Sequence, residues 1–191
     1  MRYSSFTVVY DACVLYPAPL RDFLMWLALS GCFRARWSAQ IHAEWQRSLL
    51  RNRPDLTAAQ LGRTAALMNA AVPDSLVSGD ENLIPGLTLP DPEDRHVLAA
   101  AIRCGASVIV TFNQKDFPAA ALREFGIEAQ HPDEFIDNLL DLDHAAVVEA
   151  ARCQHAQLTS PRLHVERFLD TLLKQGLVQT VKALTAYRTV L

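Results

Sequence analysis

The stretch SSFTVVYDACVLYP, residues 4–17, sets an acid at the end of a short apolar run. Val8, Val9 and Tyr10 are β-branched or aromatic and show no polar alternation, the pattern of a strand buried on both faces in a parallel sheet. The spacing predicts that this strand ends near Asp11, where a carboxylate is awkward unless something binds it. The prolines of PAPLRDFLMWLALSG, residues 17–31, then open a helix, and Gly31 is placed to close it as the C′ residue.

Working outward, Arg36 and Trp37 end a second short strand in FRARWSAQIHAEWQRSLLRN (33–52), and Ser38 caps the next helix. Thr57 caps a further apolar-periodic helix over 57–72. Residues 73–90 are rich in turn formers, with room for a short strand at Ser75 to Val77. DPEDRHVLAAAI (91–102) reads as a helix with Asp91 as N-cap, Pro92 at the first helical position, and Glu93 and Asp94 where the helix dipole favours negative charge. Gly105 stops it, and SVIVTF (107–112) is another buried strand. NQKDFP is a loop, PAAALREFG a short helix ending at Gly126, IEAQH a strand and PDEFIDNLLDL a helix.

Strand and helix thus alternate from Val8 to Leu142, which predicts an α/β domain built on a parallel sheet with right-handed crossovers. Beyond Asp143 the strand signal stops, and AAVVEAARCQHAQL (145–158), PRLHVERFLDTLLKQGL (161–177) and VQTVKALTAYRTVL (178–191) read as two to four helices. The expected division is a domain over 1–142 and a C-terminal helical appendage over 143–191. No internal repeat or low-complexity tract occurs.

A chain of 191 residues with 50% apolar and 20% charged residues is long enough for one well-buried core. It contains no apolar run long enough to cross a membrane and no signal-peptide layout at its start, so no membrane association and a cytoplasmic location are expected. Cys13, Cys32, Cys104 and Cys153 lie far apart in apolar settings without C-x-x-C spacing, which marks them as reduced core residues and argues against zinc. The net charge of −3 carries no whole-chain signature of a nucleic-acid binder. The distribution differs: residues 34–63 hold Arg34, Arg36, Arg47, Arg51, Arg53 and Arg63 against only Glu44 and Asp55, a basic segment suited either to a phosphate surface or to a solvated helix face.

On this scheme Asp11 ends the first strand, Asp116 lies in the loop beyond SVIVTF, and Asp94 sits in the first turn of the helix feeding that strand. Sites in open parallel sheets form outside the carboxyl ends of the strands, where neighbouring loops converge. Carboxylates gathered there repel one another unless a cation neutralises them, and hard oxygen ligands suit Mg2+ or Mn2+. Such ions acidify bound water and stabilise a leaving oxygen in phosphoryl displacement, with no need for a Ser, Cys or His nucleophile. Walker-type and G-x-G-x-x-G loops are absent, so nucleotide binding through a glycine loop is not supported.

VVYDACVLYP, SAQIHAEWQRSL, DPEDRHVLAAAI and VIVTFNQKDFP, taken together and in this order, resemble the PIN-domain nucleases, and among them the VapC-type toxins of bacterial toxin–antitoxin pairs. The resemblance spans most of Val8 to Pro118 and implies a sheet of order 3-2-1-4-5. It implies a metal-dependent ribonuclease acting on RNA, with Asp11, Glu44, Asp94 and Asp116 as the catalytic acids and Asp11, Asp94 and Asp116 holding one or two Mg2+ or Mn2+ ions. Asp91 matches an extra acid of some members, Thr111 a hydroxyl that supports the first Asp, and Asn113 a position that orients the site. Arg34, Arg36, Arg47 and Arg51 would approach the RNA backbone. The resemblance also implies a cognate antitoxin that places a basic side chain among the carboxylates, and a homodimer formed through the early helices. PAPLRDFLMWLALSG is then the dimer surface, unless core packing claims it. The tail resembles the helical extension of one bacterial subgroup.

Each acid also has a plainer use. Asp11 can end a strand, Asp94 can start a helix, Asp116 can make an Asx-turn, and Glu44 can pair with Arg47 on a solvated helix face. His96 has a sufficient structural role in the first turns of its helix, and Arg95 and Lys115 are expected in exposed salt bridges. Two rival functions remain: a PIN-fold binding module that keeps the acids without turnover, and another Mg2+-dependent phosphotransfer enzyme on a doubly wound sheet. A phosphatase of the second kind wants an Asp where Cys13 stands.

Overall fold

The computed structural model of the chain describes residues 6–159 and 163–191. Its sheet consists of β1 (Thr7–Tyr10), β2 (Arg34–Ser38), β3 (Leu76–Val77), β4 (Val108–Val110) and β5 (Glu128–Gln130). All pair in parallel, in the order β3-β2-β1-β4-β5, with Val9 beside both Arg36 and Ile109. This is the order expected from the sequence. Ser4 and Ser5 of the expected first strand, and Pro161 and Arg162 of an expected helix, lie outside the described residues.

Central β1 is buried throughout, as its unbroken apolar run requires. Tyr10 stacks on Trp37 at 6.2 Å, meets Phe135 edge-on, and donates its hydroxyl to the Leu24 carbonyl at 3.1 Å. These contacts hold α2 (Ala18–Leu29) and α7 (Pro132–Gln157) over the sheet. Helix α2 buries Leu20, Phe23, Leu24 and Leu27 in the core, so most of its large apolar residues are used in packing, with Leu29 left exposed. Short α1 (Ala12–Leu15) begins directly after Asp11.

After β2, Ser38 accepts the Ile41 N–H at 3.2 Å and so caps α3 (Ala39–Asn52), a contact worth about 1 kcal/mol. Thr57 and Gln60 form a capping box that starts α4 (Ala58–Ala71). One buried hydrogen-bond network then locks β2, α3 and α4 together. Trp37 Nε1 donates to Asn69 Oδ1 at 2.7 Å, His42 Nε2 meets the same oxygen at 3.0 Å, and Trp45 Nε1 donates to His42 Nδ1 at 3.0 Å. His42 Nδ1 is therefore an acceptor and Nε2 carries the proton, and burial pushes the pKa of this ring down. The network fixes the phase of α3, and with it Glu44.

The helix expected from residue 91 begins later. Asp91 does cap, with Oδ1 accepting the Glu93 N–H at 2.9 Å, but Pro92–Asp94 form a 3-10 turn and α5 runs Arg95–Cys104. Asp94, at φ −81° and ψ −7°, occupies the bridge region between turn and helix. Gly105 closes α5 at φ 63°, a left-handed conformation that a Cβ would strain. Helix α5 lies against β1, β2 and β4 through a run from Val97 to Ala101 that is almost wholly buried. The loop after β4 contains a 3-10 turn at Gln114–Asp116, and α6 (Ala119–Leu122) precedes β5.

Helix α7 does not stop at Leu142. It continues to Gln157 with one non-helical residue, Asp143, whose carboxylate accepts the Ala146 N–H at 3.1 Å and restarts the helix. Next come α8 (Val165–Leu173) and α9 (Val178–Thr185), whose Phe168, Leu172 and Leu184, with Leu177 between the two helices, join the same buried cluster as the sheet. Asp133, in the first turn of α7, accepts the Gln179 and Thr180 N–H groups, each at 2.9 Å, and the Thr180 hydroxyl at 2.8 Å. A buried carboxylate thus caps a helix 46 residues away.

Candidate active site

Asp11 follows β1 directly and is 2% exposed. Its Oδ2 accepts two hydrogen bonds, from the Thr111 hydroxyl at 2.7 Å and from the Cys13 thiol at 3.0 Å. Burial pushes its pKa up and the negative charge of Glu44 adds to this, while the two donors act in the opposite sense. The sulfur of Cys13 accepts the Phe112 N–H at 3.2 Å, and burial together with the adjacent Asp11 holds the thiol protonated. Thr111 Oγ1 in turn accepts the Asn113 N–H at 2.9 Å. The strand ends of β1 and β4 are therefore joined through Asp11.

Asp94 is raised in pKa as well. Its pKa is pushed up to about 7, first by partial burial and then by the negative charges of Asp11, Asp91, Glu44 and Asp116. Four carboxylates from four separate elements thus converge on it electrostatically. Asp116 is half-buried in its turn, with its N–H given to the Asn113 carbonyl at 2.9 Å, while Asp91 and Asn113 are exposed. Among the described residues, Asp11, Asp94 and Asp116 form no ion pair.

Glu44 does not pair with Arg47. Its Oε2 lies 2.9 Å from Nε2 of His96, a ring only 4% exposed. Beside this pair a polar cleft of about 400 Å³ is lined by Gln40, Glu44, Arg47, Ser48, Arg51 and Arg95, among others. A smaller cavity of about 240 Å³ touches both Cys13 and Glu44. Arg47 and Arg51 make no side-chain hydrogen bond or ion pair among the described residues. Arg95 is not in the salt bridge expected for it and donates to the Pro92 carbonyl at 2.8 Å. A larger, mostly apolar cavity of about 560 Å³ between α2, α4 and α8 contains none of the acids.

The structure separates the four arginines named from sequence. Arg47 and Arg51 line the cleft, whereas Arg34 pairs with Thr7 at the start of the sheet. Four residues of strand, roughly 13 Å, divide that level from Asp11. Arg36 lies beside Val9 and acts electrostatically on Cys104, at the end of α5 opposite Asp94. Strand direction is the reason: residues that begin a parallel strand lie on the face opposite its carboxyl end.

The sequence marks Cys13 as a core thiol and His96 as a structural residue of its helix, without showing the partner of either. Cys13 follows the strand-end acid by two residues, which brings its side chain back toward that acid in the first turn of α1. His96 opens the apolar face of α5, so its position facing the core was readable, but its partner on α3 was not.

Among the described residues no three His, Cys, Asp or Glu side chains form a ready-made cage for a metal ion. Mg2+ and Mn2+ do not need one, since Mg2+ keeps several waters and binds through one or two carboxylates with substrate phosphate. An open group of oxygen ligands in which partial burial, and after it mutual repulsion, pushes the Asp94 pKa up to about 7 fits such an ion. The half-exposed acids leave room for water and substrate.

A parallel 3-2-1-4-5 sheet with acids gathered at the ends of β1 and β4 and at the start of α5 is the arrangement of a PIN domain. The PIN domain family model matches residues 7–115, more than half of the chain, and the chain belongs to that family. The model of the VapC50 C-terminal domain matches residues 132–186, which begins at the start of α7. The chain is also 58% identical over 50 residues to "Putative ribonuclease VapC50" of Mycobacterium tuberculosis, a stretch covering 26% of this chain and 30% of that protein. No solved structure matches. No helix among the described residues is long and apolar enough to cross a membrane.

Proposed function

We propose that the chain is a metal-dependent endoribonuclease that hydrolyses RNA phosphodiester bonds, and that it is the toxin of a type II toxin–antitoxin pair acting in the cytoplasm. The observation that carries the reading is the convergence of Asp11, Glu44, Asp91 and Asp116 on Asp94 in a PIN domain. Its likeness to a protein whose name includes ribonuclease supports RNA as the substrate.

Asp11, Asp94 and Asp116 would hold Mg2+ or Mn2+, with Thr111 and Cys13 fixing one oxygen of Asp11 and leaving the other for the ion. When bound, the ion supplies a more acidic water and positive charge for the departing oxygen. Glu44 would orient the attacking water and accept its proton. Arg47, Arg51 and Arg95 line the adjoining cleft and would take the phosphates on either side of the scissile bond, holding the strand in register. Water adds to phosphorus, one P–O bond breaks, and the leaving oxygen takes a proton. Asp91 would add negative charge beside Asp94 and so strengthen the pull on a cation, and the backbone N–H of Asn113 braces the loop through Thr111.

The same carboxylates would give a partner a means of inhibition. An antitoxin segment that inserts a Lys or Arg among them would satisfy the repulsion that a metal otherwise relieves. A homodimer is proposed with it.

The test is incubation of purified, partner-free protein with transfer and total RNA in Mg2+, Mn2+ or chelator, beside Asp94→Asn. Cleavage that requires metal and vanishes in the variant is expected. A folded, metal-binding protein that cleaves none of these RNAs would remove the nuclease reading.

A further inference from the structure

Glu44 is placed among cations with which it does not pair. Arg47 lies one turn along α3, Arg51 two turns along, and Arg95 across the cleft, and all line the cavity that Glu44 lines. Among the described residues none of these guanidiniums forms an ion pair with Glu44. The carboxylate turns instead to His96, with Oε2 at 2.9 Å from Nε2. An ionised carboxylate has only acceptors, so Nε2 carries the proton.

The two partners differ in freedom. Glu44 is 38% exposed on the surface of α3, whereas His96 is held in the first turn of α5 by the buried run from Val97 to Ala101. The Nδ1 of His96 is buried without a hydrogen-bond partner, so the bond to Glu44 is the ring's only hydrogen bond among the described residues. Without that hydrogen bond, Glu44 has the rotamer freedom of a surface side chain and an arginine at i+3 to meet.

We propose that His96 is the positioning residue for Glu44. It holds one carboxylate oxygen from the buried side, which presents the other to the cleft and keeps Arg47, Arg51 and Arg95 available for RNA phosphate. His96 lines the floor of the same cleft at only 4% exposure, so its part is to position Glu44 rather than to reach metal or substrate. Removal of His96 therefore has two effects at once: the water is deprived of its acceptor, and a cation meant for phosphate is neutralised. The kinetic consequence rests on the nuclease reading, whereas the positional one does not.

The test compares His96→Leu with His96→Gln, by crystal structure and by kinetics on a short RNA in Mg2+. In the leucine variant the Glu44 carboxylate is expected to swing to Arg47 or Arg95, with kcat falling roughly 10- to 100-fold and KM rising. Glutamine presents an N–H close to the former Nε2 position, so it should restore the position of Glu44 and most of kcat. Where leucine prevents folding, His96→Asn serves, since its amide reaches the Nδ1 position and falls short of Glu44. An unmoved Glu44 in the leucine or asparagine variant overturns the proposal, as does a glutamine variant no better than leucine or a displaced Glu44 with unchanged kcat. If the wild type cleaves no RNA, the nuclease reading fails separately, and the position of Glu44 in the variants still decides the role of His96.

Discussion

Replacing Asp94 with Asn should make the metal-free protein more stable, although it removes a proposed ligand. The Asp94 carboxyl titrates at about 7 in the fold against an ordinary value of 3.8. Between these values the native state binds more protons than the unfolded chain, so stability falls as pH rises. The contribution is fully present below 3.8 and is lost once pH has passed through about 7. A gap of roughly 3 units at about 1.36 kcal/mol each sets a ceiling near 4 kcal/mol. Asp94 is only half-buried, and solvent screening reduces this to about 1–2 kcal/mol. Asparagine keeps the shape and cannot ionise, so at pH 8 in chelator the variant should unfold at higher urea and melt roughly 3–6 °C higher. The difference should shrink steadily toward pH 4, and Mg2+ should narrow or reverse it by stabilising the wild type alone. A variant no more stable than wild type at pH 8, or a difference independent of pH, would show that Asp94 is not buried and crowded as described.

Thr111→Val removes a donor to Asp11 and the acceptor for the Asn113 N–H, and should cost about 1.5–3 kcal/mol in urea unfolding and about tenfold in Mn2+ affinity by calorimetry. Asp133→Ala strips three hydrogen bonds from the start of α9 and should cost about 2–4 kcal/mol, with faster amide exchange at Gln179 and Thr180 as the local signature. Arg47→Ala and Arg51→Ala should each flatten the salt dependence of RNA binding, by about 0.7 in the log–log slope for every phosphate left without its arginine. Arg34→Ala, at the far end of the sheet, should leave that slope unchanged, and an equal effect at Arg34 would move the RNA path elsewhere.

Val8 to Tyr10 and Val108 to Val110 announce buried parallel strands because nothing polar interrupts them, and the acids beyond each run mark the end of the sheet where the candidate site lies. Strand order came from the resemblance to PIN domains, since an apolar run does not say which strand it adjoins. The helix at 91–102 was legible as a helix but not in its first turn, because a capping acid before proline satisfies a 3-10 turn as well as an α-helix. Arg34 and Arg36 were grouped with Arg47 and Arg51 by nearness in the chain, and only the direction of β2 separates them. The partnership of Glu44 with His96 lay outside the sequence's reach, since it joins two helices 52 residues apart whose phases are set by the Trp37, His42 and Asn69 network and by the buried run after His96. The continuation of α7 past Leu142 was hidden by Asp143, which is itself non-helical and caps the turn at Ala146.

The grip of Asp133 on α9 bears on how such a chain can be recombined. A cut at residue 143 looks natural from composition, yet it would leave the carboxylate on one fragment and the helix it caps on the other. The first would carry a buried charge with no partner, and the second a helix with bare N–H groups at its start. A transplant of the C-terminal unit onto another PIN domain therefore belongs before Pro132, so that anchor and anchored helix travel as one heritable cassette.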